Sequence, residues 1–337
     1  MEQSERKGNR GDTMGVRRKL YMLLGVCVLG FVCSFFADRI GRHYADKYRT
    51  LEALAANAYV ELLQARSEEK NFLIHRTPAA IEGVLHHADR VKTDMETLSG
   101  LDTAMDGEVR QSLAGLDGYR SGFEELAAIE RLKGFDEHAG LMRDFVSAAR
   151  ELDEKFSPVT DKDLQILLLT IRRHEKNWQL RDESTYAVKV GDGVRRLTGM
   201  VAANSDLSAE QKKSFAAVIG TYQRSFAAYV DASAKAGKTT ETMVKNGREL
   251  VPRFERIGAA YATRRAEVQT SVDHWLLGIQ AALGLVVVFV VMWIIRGITG
   301  SLSALGAYSR QVASGNLSAR PEGHFEAEFG ALRDDTT

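Results

Sequence analysis

The chain has 337 residues, and its 45 basic and 45 acidic side chains give a formal net charge of zero. This balance excludes the strongly basic surface with which many proteins bind nucleic acid. The two cysteines, Cys27 and Cys33, lie in one apolar segment, which excludes a disulfide framework in the rest of the chain.

Two segments without charged side chains, residues 20–37 and 275–295, divide the chain. A helix rises about 1.5 Å per residue, so each segment is long enough to cross a hydrocarbon core of roughly 30 Å. The first segment exceeds the apolar part of a cleaved signal peptide, roughly 7–15 residues, so we expect an uncleaved anchor. The sequence therefore predicts two transmembrane helices with a domain, residues 38–274, between them.

Basic residues before the first apolar segment indicate on which side of the membrane the N-terminus lies. They are Arg6, Lys7, Arg10, Arg17, Arg18 and Lys19. Because basic residues favour the cytoplasmic side, we expect residues 1–19 to form a cytoplasmic tail. Two crossings then place the domain outside the membrane and return residues 296–337 to the cytoplasm.

The composition of the domain predicts helices throughout. Ala, Leu, Glu, Lys and Arg dominate it, and it contains three prolines. Apolar residues recur three and four positions apart, which is typical of amphipathic helices. We expect six helices in the domain. The first covers about 38–76, the second runs from Pro78 to a turn at 99–102, and the third continues from that turn to about Phe156. The fourth ends at about Arg181, the fifth covers 184–203, and the sixth runs from about Ser208 into the second apolar segment, with a kink at Pro252.

The sequence of the domain is duplicated. Residues 62–72 and 168–178 share Leu, Leu, Arg, Glu, Lys and Asn at positions 106 residues apart, and an aromatic residue closes both. A weaker match, 103 residues apart, places Tyr119 and Phe123 against Tyr222 and Phe226. Because each copy would be the same supersecondary unit, we predict an all-α fold of two four-helix bundles stacked end to end between the two transmembrane helices.

This layout resembles the helical bimodular sensor domain of bacterial chemoreceptors, the methyl-accepting chemotaxis proteins. The resemblance covers about residues 38–274 and rests on the two apolar segments and the duplicated Arg-x-x-Glu-Lys-Asn-aromatic motif. It implies a multi-pass protein of the bacterial inner (cytoplasmic) membrane whose sensor domain is periplasmic or extracellular.

Residues 296–337 resemble the start of a HAMP linker, a parallel coiled coil. Apolar residues at positions 298, 305 and 312 recur every seven residues, as a parallel helix seam requires. The motifs that resemble its turn and its second helix are Gly315-Asn316-Leu317 and Glu328-Phe329-Gly330 with Leu332, whereas Gly300-Ser301 stand near the place of its usual proline. A four-helix HAMP core needs two chains, so we expect a homodimer.

Small carboxylates are common ligands of this family, and arginine binds them through paired N–H groups. The resemblance points to arginines on the first, fourth and last helices of the domain. The candidate ligand-binding residues are Arg66, Arg172 and Arg253, with Lys70 and Arg173 as supporting cations. The alternative is that these cations are solvated or paired with nearby glutamates.

The other residues of the duplicated motif favour structural roles. We expect Glu69, Asn71 and their counterparts to hold the junction between the two modules, and Phe72 and Trp178 to pack in the core or at that junction. A metal or haem site is not expected because the histidines show no metal-ligand spacing. The sequence predicts no cofactor and no catalytic activity.

We therefore expect the input half of a transmembrane chemoreceptor that senses a small organic acid. It would signal through HAMP to a chemotaxis kinase, within a chemotaxis signalling complex, by way of a cytoplasmic domain that residues 1–337 do not include. A histidine-kinase sensor is the nearest alternative, because the same front end can precede either output. A membrane-tethered structural or partner-binding bundle without a small ligand is the alternative from another class.

Overall fold

The computed structural model describes residues 15–316, and this part of the chain is helical without strands. Its seven helices are α1 (Val16–His75), α2 (Pro78–Leu101), α3 (Asp106–Lys133), α4 (Gly140–Phe156), α5 (Lys162–Arg181), α6 (Ser184–Ala203) and α7 (Ala209–Ala313). The predicted all-α class is confirmed. The basic residues at 6, 7 and 10 and the HAMP motifs from Leu317 onward lie outside the described residues.

Helix ends follow local chemistry. Thr77 caps α2, because its side chain accepts a hydrogen bond from the Ala80 N–H and Pro78 occupies the first turn. The predicted bounds of α5 and α6 are also confirmed. Helix α2 continues to Leu101, so the turn expected at 99–102 begins about three residues later.

One predicted helix is two. The single helix expected up to Phe156 is wrong, because the chain leaves α3 at Gly134 and enters α4 at Gly140. Both glycines have positive φ, 92° and 59°. An added Cβ at either position would collide with backbone atoms of this connection, so glycine is required on both sides of the break. Sequence periodicity alone does not reveal it, since the apolar pattern resumes in α4.

The chain divides into two units, one of them Leu51–Tyr261. In this unit, segments of α1, α2, α3 and α7 contact one another. Glu61 on α1 pairs with His87 on α2 (Oε2–Nδ1, 2.6 Å), and the Phe72 and Phe123 rings meet edge to face, with centroids 5.3 Å apart. Helices α3 and α7 approach closely where Gly115 faces Leu250. We call these four segments the first helix set.

A second helix set in the same unit comprises α4, α5, α6 and the N-terminal part of α7. Its core is aromatic: Phe145 of α4 lies beside Tyr222, Phe226 and Tyr229 of α7, with ring centroids 5.4–6.1 Å apart. Trp178 of α5 meets Phe226 edge to face at 5.3 Å. Helix α6 packs on α5 through several valines and a leucine: Val190, Val194, Leu197 and Val201.

The other unit contains the described parts of residues 1–50 and 262–337. Helices α1 and α7 each include a window apolar enough to cross a membrane, and most side chains in these windows are exposed, as with Phe31 and Phe289. Within this unit α1 and α7 touch where Gly30 meets Leu283 and Gly41 meets Val272. Exposed apolar surface of this extent suits contact with lipid rather than with water.

Candidate functional site

The duplicated sequence motif folds twice into the same buried cluster of arginine, glutamate and tyrosine. In the first helix set Arg66 pairs with Glu69 beside Tyr119. The second helix set repeats this with Arg172, Glu175 and Tyr222, and the two glutamates are each 1% exposed. We call these the first and second Arg-Glu-Tyr clusters.

The second Arg-Glu-Tyr cluster is fully connected. The Tyr222 hydroxyl donates to Glu175 Oε2 at 2.8 Å, and Arg172 pairs with Glu175 and, through Nε, with Asp153 Oδ2 at 3.3 Å. Burial raises the pKa of the Glu175 carboxyl, although Arg172 and Tyr222 act in the opposite direction. Burial also raises the pKa of Tyr222, and the adjacent Glu175 carboxylate raises it further.

The first Arg-Glu-Tyr cluster differs at its tyrosine. The Arg66 guanidinium carbon lies 5.9 Å from the Tyr119 ring centroid, and the guanidinium packs against Gly247 of α7. An added Cβ at Gly247 would lie 2.5 Å from Arg66 Nη1, so the glycine makes room for the arginine. Within residues 15–316 the buried Tyr119 hydroxyl lies near Glu69 and Arg66 but makes no hydrogen bond of normal geometry. Burial raises its pKa, and the charge of Glu69 contributes next.

The five candidate ligand-binding residues are not brought together. Arg66 and Arg172 lie in different helix sets, each beside its own glutamate, and an anion there would compete with a buried carboxylate. Lys70 and Arg173 are exposed, and Arg253 is half-buried on α7. Their role as ligand contacts stays a prediction.

A cleft of about 670 Å³ lies where the two helix sets meet. Phe72 and Trp178 both line it and both are almost fully buried, as predicted for junction packing. Its volume lies in the range of small-molecule sites, roughly 300–1,000 Å³, although its walls carry more charged side chains than such sites usually do. We call it the junction cleft.

Equivalent positions of the duplicated sequence line the junction cleft. At the spacing of 106 residues, Phe72 matches Trp178 and Arg76 matches Asp182; at the spacing of 103, Leu126 matches Tyr229, Glu130 matches Ser233, Lys133 matches Ala236 and Gly134 matches Gly237. The cleft is thus built from the same part of each repeat, but the side chains differ. The first repeat supplies two cations, one carboxylate and one aromatic ring; the second supplies one carboxylate, two aromatic rings, a serine and small residues.

The charged wall centres on one buried carboxylate. Glu130 Oε1 lies 3.0 Å from Lys133 Nζ, and Glu130 Oε2 lies 3.2 Å from Arg76 Nε. Lys133 also lies 5.9 Å from the centroid of the Tyr229 ring. Burial raises the pKa of Tyr229, while the nearby Arg76 lowers it. Because two cations share one acid, this group of three carries a formal charge of +1. We call it the Glu130 group.

Sequence reasoning missed the junction cleft, although a signal was present. The match between Tyr119 and Tyr222 continues at the same spacing to the pair Gly134 and Gly237. Extending the alignment by these positions would have placed Glu130 and Lys133 opposite Ser233 and Ala236. The Glu130 group itself has spacing that is ordinary for a helix surface, so its burial was not visible from the sequence.

No group of three or more His, Cys, Asp or Glu side chains suited to a metal ion occurs in the described part of the chain. The adjacent histidines at 86 and 87 meet edge to face, and His87 is directed to Glu61. No protein-family model matches the chain, and no curated protein matches it.

Proposed function

We propose that this chain is the input half of a transmembrane receptor that senses a small organic anion outside the cytoplasmic membrane. The observation that carries the proposal is the order of the chain. A helical unit, Leu51–Tyr261, is flanked in sequence by two apolar segments, each within a helix long enough to cross a membrane. A soluble enzyme has no need of this order.

The helix contacts support a finer proposal for the architecture. The first and second helix sets are two four-helix bundles, stacked end to end, and each takes three helices from one copy of the duplicated sequence and the fourth from the other copy. Helix α7 belongs to both sets and carries the second apolar segment. Ligand binding that favours one position of α7 would therefore bias the second transmembrane helix, by a shift on the order of 1–2 Å.

The output side of the proposal follows the sequence resemblance. Residues 296–337 would begin a HAMP coiled coil in a homodimer, and the receptor would control a chemotaxis kinase. In the described residues α7 continues to Ala313 and the chain then turns at Gly315, whose φ is 95°. A helix that ends before a Gly-Asn pair is compatible with the first helix of HAMP.

The second candidate function is a membrane-tethered bundle without a small ligand. One observation favours it: Arg66 and Arg172 already have acidic partners inside the protein. In such a bundle no bound anion is needed to neutralise these two arginines.

A chimaera tests the proposed function. The chain would be fused to the cytoplasmic part of a methyl-accepting receptor and expressed in bacteria without receptors of their own, and kinase activity would be followed by fluorescence energy transfer. We expect at least one organic acid to change kinase activity. An inserted chimaera whose basal kinase activity responds to no organic acid, amine, sugar or purine would favour the ligand-free bundle.

A further inference from the structure

We propose that the junction cleft binds a small aromatic carboxylate, with the carboxylate on the guanidinium of Arg76 and the ring against the aromatic wall that includes Tyr229. This inference rests on the proposed function, because it names the site and the ligand class of the sensor. It differs from the arginine sites predicted from the sequence, since none of those five residues lines the cleft.

The anion-binding end of the cleft is Arg76. Its Nε faces Glu130 Oε2 at 3.2 Å, and within the described range Glu130 is the one acidic residue that pairs with it. The side chain is 51% exposed and lines the cleft, so the guanidinium fork is accessible to a carboxylate. Arginine binds carboxylates through such paired donors, with charge-assisted hydrogen bonds that are stronger than neutral ones.

Two lysines strengthen the preference for an anion. Lys133 shares the carboxylate of Glu130 with Arg76, which leaves one positive charge in the Glu130 group without compensation. Lys176 also lines the cleft, and its ammonium donates to the neutral side chain of Gln179 at 3.0 Å. The lining as a whole holds three cations and three carboxylates, so a carboxylate at Arg76 would be favoured by these nearby cations rather than by a net positive charge of the cleft.

The other two acidic residues at the cleft, Glu137 and Asp182, are exposed, unlike Glu130. Glu137 lines the cleft but lies 3.8 Å from Arg150 and from His138, and Asp182 is an exposed C-cap residue. Helices α1, α3 and α5 also end near the cleft, and each C-terminus carries about half a negative charge. The same cations partly neutralise these partial charges. The competing explanation is therefore that the cations stabilise the helix ends and bind no ligand.

Aromatic and apolar side chains beside the Glu130 group favour a ring on the ligand. Tyr229 is half-buried and stacks on Phe145 at 5.8 Å with 8° between the ring planes, so its orientation is fixed. Leu126, Met142 and the partly exposed Phe135 extend the apolar surface. An anion as small as acetate would leave most of the 670 Å³ to water, whereas an aromatic acid would fill it and bury apolar area.

The test is equilibrium binding to the full chain in lipid nanodiscs, with benzoate, phenylacetate and indole-3-acetate as probes. Arg76→Gln removes the guanidinium, and Arg131→Gln is the charge-matched control because Arg131 is exposed in the last turn of α3 and does not line the cleft. Ser233→Trp fills the cleft, and Ala234→Trp is its control on an exposed neighbouring position of α7.

We expect saturable binding of at least one probe to the wild type and to both controls, and at least tenfold weaker binding to Arg76→Gln and to Ser233→Trp. The inference is overturned if no probe binds the wild type, or if both cleft variants bind as tightly as the wild type. Acetate, malate and citrate are titrated in parallel. Binding of these acids that is indifferent to both cleft variants overturns the junction cleft as the anion site but leaves the sensor function standing.

Discussion

Gly134 and Gly237 occupy equivalent positions of the two repeats, yet Gly134 ends α3 with a φ of 92° and Gly237 lies inside α7. Around Gly237 an added Cβ would meet nothing within 4 Å, whereas at Gly134 it would meet the backbone of Ala139. The same residue type therefore has opposite roles: it permits a break in one copy and only weakens a helix in the other.

The two glycines should respond in opposite directions to alanine. We expect Gly134→Ala to lower the free energy of unfolding by more than about 1 kcal/mol, because of the left-handed backbone and the collision with Ala139. Gly237→Ala should raise it by up to about 1 kcal/mol through helix propensity. Urea unfolding followed by circular dichroism measures both. Equal effects would mean that the α3 break is absent in solution.

Removing Arg66 should destabilise the protein whether or not it binds a ligand. Arg66→Met leaves the Glu69 carboxylate buried without its partner, a change that costs about 3–5 kcal/mol in comparable pairs. Arg66→Met with Glu69→Gln should recover most of the loss, because no charge is then buried alone. Chemical unfolding of both variants measures this. A single variant as stable as the wild type would show that the pair contributes little.

The matching change in the second Arg-Glu-Tyr cluster should cost less. Arg172→Met leaves Glu175 with a 2.8 Å hydrogen bond from Tyr222, whereas the Tyr119 hydroxyl lies near Glu69 without a hydrogen bond of normal geometry in the described structure. We expect the loss in Arg172→Met to be smaller than in Arg66→Met by about 1 kcal/mol, the value of one hydrogen bond. Unfolding of both single variants under one set of conditions decides the order, and the reverse order would contradict it.

The contribution of the Glu175 carboxyl to the free energy of unfolding should decrease with rising pH. Burial raises the pKa of this carboxyl in the folded state above the ordinary 4.5 of the unfolded state. At a pH between 4.5 and the folded-state pKa, the folded state therefore binds more protons than the unfolded state. The contribution is present in full below about 4.5 and is lost as pH rises through the folded pKa, at about 1.4 kcal/mol per pKa unit of difference. Glu175→Gln has no such term.

The measurement compares the melting temperature of the wild type with that of Glu175→Gln from pH 4 to pH 7. We expect the wild type to lose stability relative to the variant over this range, whatever the other carboxyls contribute to both. If the melting temperature of the wild type instead increases relative to that of the variant as pH rises, the ion pair with Arg172 outweighs burial and the pKa of Glu175 is lowered.

A disulfide between α1 and α7 tests their packing in the unit of the apolar segments. A Cβ at Gly41 would lie 3.5 Å from the Cβ of Val272, within the range of natural disulfides. With Cys27 and Cys33 replaced by alanine, Gly41→Cys with Val272→Cys should form an intrachain disulfide under mild oxidation. Mass spectrometry after proteolysis detects it. Gly41→Cys with Thr270→Cys is the control, and equal cross-linking of both pairs would contradict the packing.

The helical class, the capping of α2 by Thr77 and the bounds of α5 and α6 could be predicted from the sequence because they depend on local chemistry. The break at Gly134 could not be predicted, because Gly134 and Gly237 both lie in an apolar helical pattern and only Gly134 ends a helix. The duplicated arginines were visible as a pattern, but their pairing with buried glutamates depends on which face of each helix meets its neighbour. That face is fixed by packing among distant segments, as with Arg66 and Gly247.

Arg76 has a left-handed backbone, with a φ of 50°, at the end of α1. Glycine would hold this conformation with about 1–2 kcal/mol less strain, and loss of the ion pair should cost little because Arg76 is 51% exposed and the buried Glu130 keeps Lys133 as a partner. Arg76→Gly is therefore expected to melt at a higher temperature than the wild type and to bind the aromatic probes more weakly. A screen for thermal stability alone would select against recognition at this position, so stability and ligand affinity must be scored separately in any engineering of this domain.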